Sequence, residues 1–383
     1  MKLAFICTEK LPCPAIKGGA IQILIDGVSP ILSKNYELTI FSIQDPSLPN
    51  REKRGRIEYI RLPSGKRYPE AVAKELGKGN YDVIHVFNRP KNVPIYAKAA
   101  PKSRFVLSLH NEMFAKEKIS AKEAEEAIRS VRTIMTVSDY IGRTIVKRFP
   151  SAKNKVRTVY SGADLSTFIP VWSKEGIRIR EKVRKKIGAE GKKIILFVGR
   201  LSANKGPHIL IKSLKYLLNK HKDVVLVIVG GKWFSDNSID GYVRSLHKLA
   251  KPFKKQVIFT KHVAPKEIPK YYLAADVFIC SSQWQEPLAR VHYEALAAGL
   301  PVITTKRGGN AEIVKHKQNG IVIKDYKNPK AFAEAIDSLL SNPQKAAKMA
   351  QKGRQFVKTN YQFKHVAHRL ERVYLEAVGG ILQ

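Results

Sequence analysis

The chain has 383 residues, 44% of them hydrophobic; that suffices for two packed domains, and no apolar run nears the roughly 20 residues that cross a bilayer. Sixty-nine Lys and Arg stand against 32 Asp and Glu, a formal +37 whose field favours polyanions: nucleic acid, anionic lipid or an acidic polymer. Three cysteines lack metal-ligand spacing, and no Cys/His finger, basic zipper or RNA-recognition strand occurs, so specific nucleic-acid binding is not expected.

Strand and helix signals alternate throughout, which predicts an α/β protein. The opening Met1-Lys-Leu-Ala-Phe-Ile-Cys7 is too short for a secretory leader and reads as a first strand, so the chain is expected to be soluble and cytoplasmic. Strands are predicted over 3–7, 37–43, 57–61, 83–87, 105–109, 134–137 and 156–159. Between the first two lies Lys17-Gly18-Gly19-Ala20 and then an apolar helix over 21–32; a glycine pair there lets backbone N–H groups approach an anion, or simply makes a turn. His110 follows the strand ending at Leu109, where ligands bind in open parallel sheets, although a lone His is as readily a core or capping residue. Ser138-Asp139 follows another strand and reads equally well as a helix N-cap. Basic residues are dense over 51–67 and again over 178–193; the first run suggests an anionic acceptor or an acidic surface.

A turn-rich stretch from Tyr160 to Pro170 breaks the periodicity, and a second series of strands is predicted over 193–198, 224–229, 256–260, 277–280, 302–304 and 320–323. The tail from Pro329 reads as helices broken near Asn342-Pro343 and near Tyr361. In this half, Phe197-Val-Gly199-Arg200-Leu-Ser-Ala-Asn-Lys205-Gly-Pro207 ends a strand and opens a helix. Arg200 and Lys205 therefore sit where a helix N-terminus already favours a diphosphate. Gly230 and Gly231 close the next strand and let a ring or ribose approach the backbone. After the strand ending at Cys280 comes Glu286-Pro287-Leu288-Ala289-Arg-Val-His-Tyr-Glu294, read as a helix with Glu286 at its mouth. On such a helix the two carboxylates lie within about 80° of each other and grip hydroxyls at different depths. Thr305-Lys-Arg-Gly308-Gly-Asn-Ala-Glu312 follows a further strand and opens another helix.

Taken in this order, the elements resemble the retaining family 4 glycosyltransferases, whose GT-B fold has two facing Rossmann-like domains with the active site between them. The matching residues are Gly199-Arg-Leu with Lys205-Gly206, Ala275-Asp-Val-Phe, Glu286 and Glu294, Ala298-Gly-Leu-Pro-Val302, Gly308-Gly with Glu312, and Asn319-Gly320. Gly18-Gly19, His110, Val137-Ser138 and Ser161-Gly-Ala-Asp with Phe168 fit the pattern of the first half. The chain looks most similar to the spore-coat-associated glycosyltransferases of bacilli.

The resemblance implies a domain over 1–170, completed by a C-terminal helix over 360–383, and a nucleotide-sugar domain over 171–359. It implies that Arg200 and Lys205 neutralise a diphosphate and that Glu294 holds the ribose. Glu286, with the amides after it at Pro287, Leu288 and Ala289, would hold the transferred sugar. His110 would act near the reacting carbon, Gly18 and Gly19 beside the phosphates, and Gly199, Gly230 and Gly231 along the donor. The implied donor is a UDP-linked sugar, a substrate and not a cofactor. No Asp-x-Asp occurs, so the expected reaction is metal-independent. The acceptor would be an anionic glycan, lipid or protein, with the enzyme cytoplasmic or associated with a spore coat or membrane surface. Six positions depart from the pattern: Ser161 replaces a common Asn, Ala289 and Lys261 stand where Gly is frequent, and Arg290, His292 and Tyr293 replace aliphatic residues. A catalytically idle scaffold that binds an acidic matrix, and a polyanion-binding protein, are the alternative readings.

Overall fold

A computed structural model describes residues 1–232 and 239–379, and the chain divides into two units, Met1–Ser161 with Phe363–Gln383, and Gly162–Gln362. The first unit is built from β1 (Lys2–Ile6), α1 (Ala20–Leu32), β2 (Glu37–Ile43), β3 (Arg51–Arg54), β4 (Ile57–Leu62), α2 (Tyr68–Leu76), β5 (Val83–Phe87), α3 (Val93–Ala99), β6 (Arg104–Leu109), α4 (Ala121–Ser130), β7 (Thr133–Thr136), α5 (Asp139–Arg148) and β8 (Val156–Thr158). Its sheet has the order β3-β4-β2-β1-β5-β6-β7-β8, and every pairing is parallel except β3 with β4. The inner strands are mostly apolar and buried because helices cover both faces; β2, Glu-Leu-Thr-Ile-Phe-Ser-Ile, is buried at every position after the first. The antiparallel edge β3, Arg-Glu-Lys-Arg, was not expected. Its charges keep an open edge from pairing with another chain.

The second unit holds α6 (Lys174–Lys186), β9 (Lys193–Val198), α7 (Pro207–Leu217), β10 (Val224–Val229), α8 (Gly241–Ala250), β11 (Val257–Phe259), α9 (Ile268–Ala274), β12 (Val277–Cys280), α10 (Val291–Ala297), β13 (Val302–Thr305), α11 (Asn310–Ile313), β14 (Gly320–Ile323), α12 (Pro329–Leu340) and α13 (Pro343–Asn360). All its strands are parallel, in the order β11-β10-β9-β12-β13-β14. Asp276, just before β12, fixes the start of this sheet: its carboxylate accepts from the Ile194 N–H at 2.6 Å, from Arg184 at 2.7 Å and from Arg180. Both arginines come from the basic helix α6, so these two charges of the run are structural.

The last helix, α14 (Phe363–Ala377), belongs to the first unit. Val366, Ala367, Leu370, Val373 and Tyr374 join the core formed by α1, β1 and β2, and the Tyr374 hydroxyl meets His85 Nδ1 at 2.7 Å. Among the described residues no helix is long and apolar enough to cross a membrane. Leu370→Ala leaves a cavity in this core and is expected to cost about 3 kcal/mol of unfolding free energy in urea titration. A loss near zero would mean that α14 is not part of the folded unit.

Candidate functional site

In the second unit the strand order reverses between β9 and β12, because β9 is followed by β10 on one side while β12 leads to β13 on the other. Loops leaving the carboxyl ends of such a pair diverge and open a crevice, the usual ligand position in open α/β sheets. The loop after β9 carries Gly199, Arg200 and Lys205; the loop after β12 carries Ser282, Trp284 and Glu286. The two are laced together: the Gln283 N–H donates to the Asn204 carbonyl at 2.7 Å, and the Ser281 hydroxyl to the Lys205 carbonyl at 3.0 Å. Gly206 permits this approach. It has φ 72° and a Cβ there would lie 2.1 Å from the Ser281 carbonyl oxygen. Gly308 does the same from the loop after β13. Its φ is 53°, a Cβ would fall 1.9 Å from the Glu286 carbonyl oxygen, and the neighbouring Gly309 N–H donates to that oxygen at 2.8 Å.

Held this way, Glu286 is 5% exposed and meets Lys205. Lys205 Nζ lies 2.7 Å from Glu286 Oε2, which also accepts from the Ser282 hydroxyl at 2.7 Å and from Trp284 Nε1 at 2.9 Å. These donors converge on Oε2; Oε1 accepts none of them. Burial pushes the carboxyl up, but the Lys205 charge and the hydrogen bonds from Lys205, Ser282 and Trp284 outweigh it, so the group stays below its ordinary value and ionised. Lys205 also stands 5.8 Å from the centre of the Trp284 ring. Arg200 is half-buried; burial pulls it below its ordinary value while the Glu286 charge pulls it back, so the three charges belong to one electrostatic cluster.

Glu286 and Glu294 do not share one helix. Residues 281–290 form an irregular loop and α10 starts only at Val291, so the 80° phase does not describe their geometry. Pro287 has no N–H to offer a sugar. The next two do: among the described residues neither the Leu288 nor the Ala289 N–H donates to a protein acceptor. Glu294 lies on α10, where it accepts from the Tyr272 hydroxyl at 3.0 Å and has Arg290 Nη2 3.7 Å from Oε1. The unusual residues here are matched to each other. Arg290 faces Glu294, and His292 uses Nδ1–H on the Ala289 carbonyl at 2.9 Å and Nε2 against the Thr304 hydroxyl at 2.8 Å. Tyr293 packs its ring 5.6 Å from that of Tyr361.

The loops after β9, β10 and β11 are joined by backbone bonds. Gly199 N–H donates to Val229, Leu201 N–H to Gly231 at 2.8 Å, and Gly230 N–H to Lys261. Lys261 has φ 63°, a left-handed conformation, which explains why glycine suits that position. The sequence reading puts the nucleotide base against backbone groups around 230–233 and 261–263; of these residues, Trp233 lies outside the described ones.

In the first unit Gly18 and Gly19 precede α1, Gly19 as its N-cap, and His110 follows β6 at the carboxyl edge of the sheet. The His110 N–H donates to Asn88 Oδ1 at 3.0 Å, and its ring lies 6.0 Å from that of Phe87. Ser138 accepts from the Ile141 N–H, so it is an N-cap. At this unit's own switch point, between β1 and β5, Arg89 forks onto Glu9 (Nε to Oε2 2.7 Å, Nη2 to Oε1 2.6 Å), a pair the sequence reading missed. The basic run 51–67 is partly consumed by the fold: Arg61 is 2% exposed and donates to the Cys13 and Pro49 carbonyls, Arg51 pairs with Glu75, and Arg54 with Glu52.

Ser282, Trp284, Tyr272 and Asn310 were also missed. Serine, tryptophan and tyrosine near a strand end carry no periodic signal, and only three-dimensional convergence marks them. Asn310 is fully buried, and among the described residues neither atom of its side-chain amide has a hydrogen-bond partner.

Residues 179–356 match the family model described as glycosyl transferases group 1, and residues 31–167 the model described as glycosyltransferase family 4. The chain is 54% identical to the putative glycosyltransferase YtcC of Bacillus subtilis (strain 168), over 98% of this chain and 92% of that one. It is 52% identical to spore coat protein SA of the same organism, over 98% and 99%. Among solved structures it is similar to Anabaena Alr3699/HepE in complex with UDP-glucose, with a TM-score of 0.79, 22% identity, and 98% and 100% of the two chains covered; that likeness establishes the GT-B fold.

The Lys205–Glu286 pair yields a test with a definite sign. A buried carboxylate with a lowered pKa stabilises the fold above its ordinary value of 4.5, and that contribution is lost as pH falls through the folded pKa. Lys205→Met leaves the carboxylate buried without its cation and is expected to cost about 3 kcal/mol near neutral pH. The deficit should shrink toward about pH 4, where protonation relieves the buried charge. Urea unfolding of both proteins across this range reads it; a deficit independent of pH would contradict the assignment.

Proposed function

We propose that this chain, which belongs to the group 1 glycosyltransferases, moves a hexose-type sugar from a UDP-linked donor to an anionic acceptor with retention of configuration. The observation that carries the reading is the meeting of Lys205 and Glu286 at the strand-order reversal, beside Arg200 and the N–H groups of Leu288 and Ala289. Breaking the bond between the anomeric carbon and the phosphate oxygen puts negative charge on the departing diphosphate and positive charge on the sugar ring. Arg200 and Lys205 stabilise the first; each such fixed donor is worth on the order of 3 kcal/mol, or roughly a hundredfold in rate. Glu286 Oε1 and the two amides take the sugar hydroxyls, and Glu294 takes the ribose. The acceptor attacks from the face the diphosphate leaves, and the leaving phosphate accepts its proton. Glu286 is already engaged by three donors through Oε2, which suits a hydroxyl binder better than a nucleophile. With two protein cations on the diphosphate, the reaction is read as metal-independent.

A second reading, in which the chain is a coat component without transfer activity, is favoured by the name of its relative, spore coat protein SA. Transfer or slow hydrolysis of a nucleotide sugar separates the two.

Thermal shift against UDP-, GDP- and ADP-linked sugars should single out the UDP series, because a ligand at about a hundred times its Kd adds about 2.7 kcal/mol to the native state. Arg200→Ala should lower kcat roughly a hundredfold, excess EDTA should leave the rate unchanged, and the product anomer seen by NMR should match the donor's. His110→Ala should lower kcat while leaving the UDP-induced shift in place. A Glu286-linked glycosyl adduct would overturn the same-face step, and no shift with any nucleotide sugar would favour the coat reading.

A further inference from the structure

Part of the positive charge that the fold does not consume lies on α13. Between Asp337 and Glu371 the sequence contains no acidic residue, and α13 lies within that stretch. Lys345, Lys348 and Lys352 are exposed along one face of α13, at spacings of three and four residues. They form one wall of a pocket of about 430 Å³ whose other wall, Lys317 and Gln318, comes from the loop before β14; Gln344 completes the rim. Among the described residues none of the four lysines is paired with an acid. The contrast with Arg51, Arg54, Arg180 and Arg184, each matched to a carboxylate, is chemical as well as numerical.

The pocket is separate from the donor site. Lys317 and Gln318 precede β14 and so lie at the amino-terminal edge of the parallel sheet, whereas Lys205 and Glu286 lie at its carboxyl-terminal edge. We infer that this lysine-lined pocket between α13 and the loop before β14 binds a flexible phosphate-chain polyanion, independently of the sugar-transfer site.

Geometry selects the ligand class. Lys345 and Lys352 are separated by about 10 Å along the helix axis, so a single phosphate cannot satisfy them all and repeated anionic groups are required. Ammonium groups act as point charges without a fixed fork, which tolerates a flexible chain. Donors converge from two walls, and tetrahedral phosphate oxygens point to both sides as planar carboxylates do not. No aromatic side chain lines the pocket, so bases have nothing to stack on. Its one apolar lining residue, Met349, is buried, so no apolar side chain is available for insertion into a bilayer. Bound here, the enzyme would be tethered to a phosphate-rich matrix with its donor site free.

The test titrates the full chain with inorganic polyphosphate, orthophosphate, polyglutamate, single-stranded DNA and phosphatidylglycerol vesicles at several salt concentrations. Polyphosphate should bind tightest. The triple variant Lys345→Gln, Lys348→Gln, Lys352→Gln should lose more than tenfold in affinity, and its salt slope should fall by about 2, as expected for losing three contacts to a single-stranded polyanion. The triple variant Lys182→Gln, Lys185→Gln, Lys186→Gln removes equal charge from exposed positions of α6 and should change affinity less than threefold. Nucleotide-sugar binding should be the same in all three proteins. Equal losses in the two variants, or equal binding of orthophosphate, polyglutamate, DNA or vesicles, would overturn the inference, whatever the outcome for sugar transfer.

Discussion

The ion pair between Lys205 and Glu286 is the constraint on which the geometry of the second unit's candidate site depends. It joins two loops that leave adjacent strands in divergent directions, and it keeps a nearly buried carboxylate ionised against the cost of its own desolvation. Its surroundings are arranged to make the pair possible. Gly206 and Gly308 let two backbones come within van der Waals reach of the loop that carries Glu286, and Ser282 and Trp284 add hydrogen bonds to the same oxygen. Among the described residues, none of these donors reaches the remaining oxygen, and the Leu288 and Ala289 amides donate to no protein acceptor.

The first unit repeats the device at its own strand-order reversal, where Arg89 forks onto Glu9 beside the loop that leads to Gly18 and Gly19. Opposite charges at both switch points follow from topology: each crevice brings together residues far apart in sequence, and a carboxylate half-removed from water needs a cation nearby.

Much of this was legible in the sequence because parallel strands buried on both faces are unbroken apolar runs. Val-Val-Leu-Val-Ile-Val at β10 and Val-Phe-Ile-Cys at β12 can hardly be anything else. Loops bearing Arg200, Lys205 and Glu286 were found because they follow such runs. The relation of Glu286 to Glu294 was misread, since the irregular loop ahead of α10 looks helical in composition and its true path is set by contacts with the β9 and β13 loops. The edge strand β3 was hidden because its charges are the very feature that protects an edge. Net charge was the least readable quantity. It suggested one basic surface over 51–67, whereas Arg61 is buried as a structural clamp and several neighbours are paired.

A crystal structure of the chain soaked with UDP-glucose tests the central claim most directly. The account predicts the diphosphate against Arg200 and Lys205, with a sugar hydroxyl on Glu286 Oε1 and the Leu288 and Ala289 amides turned to the ligand. A nucleotide bound away from the β9–β12 reversal, with the Lys205–Glu286 pair untouched, would contradict it.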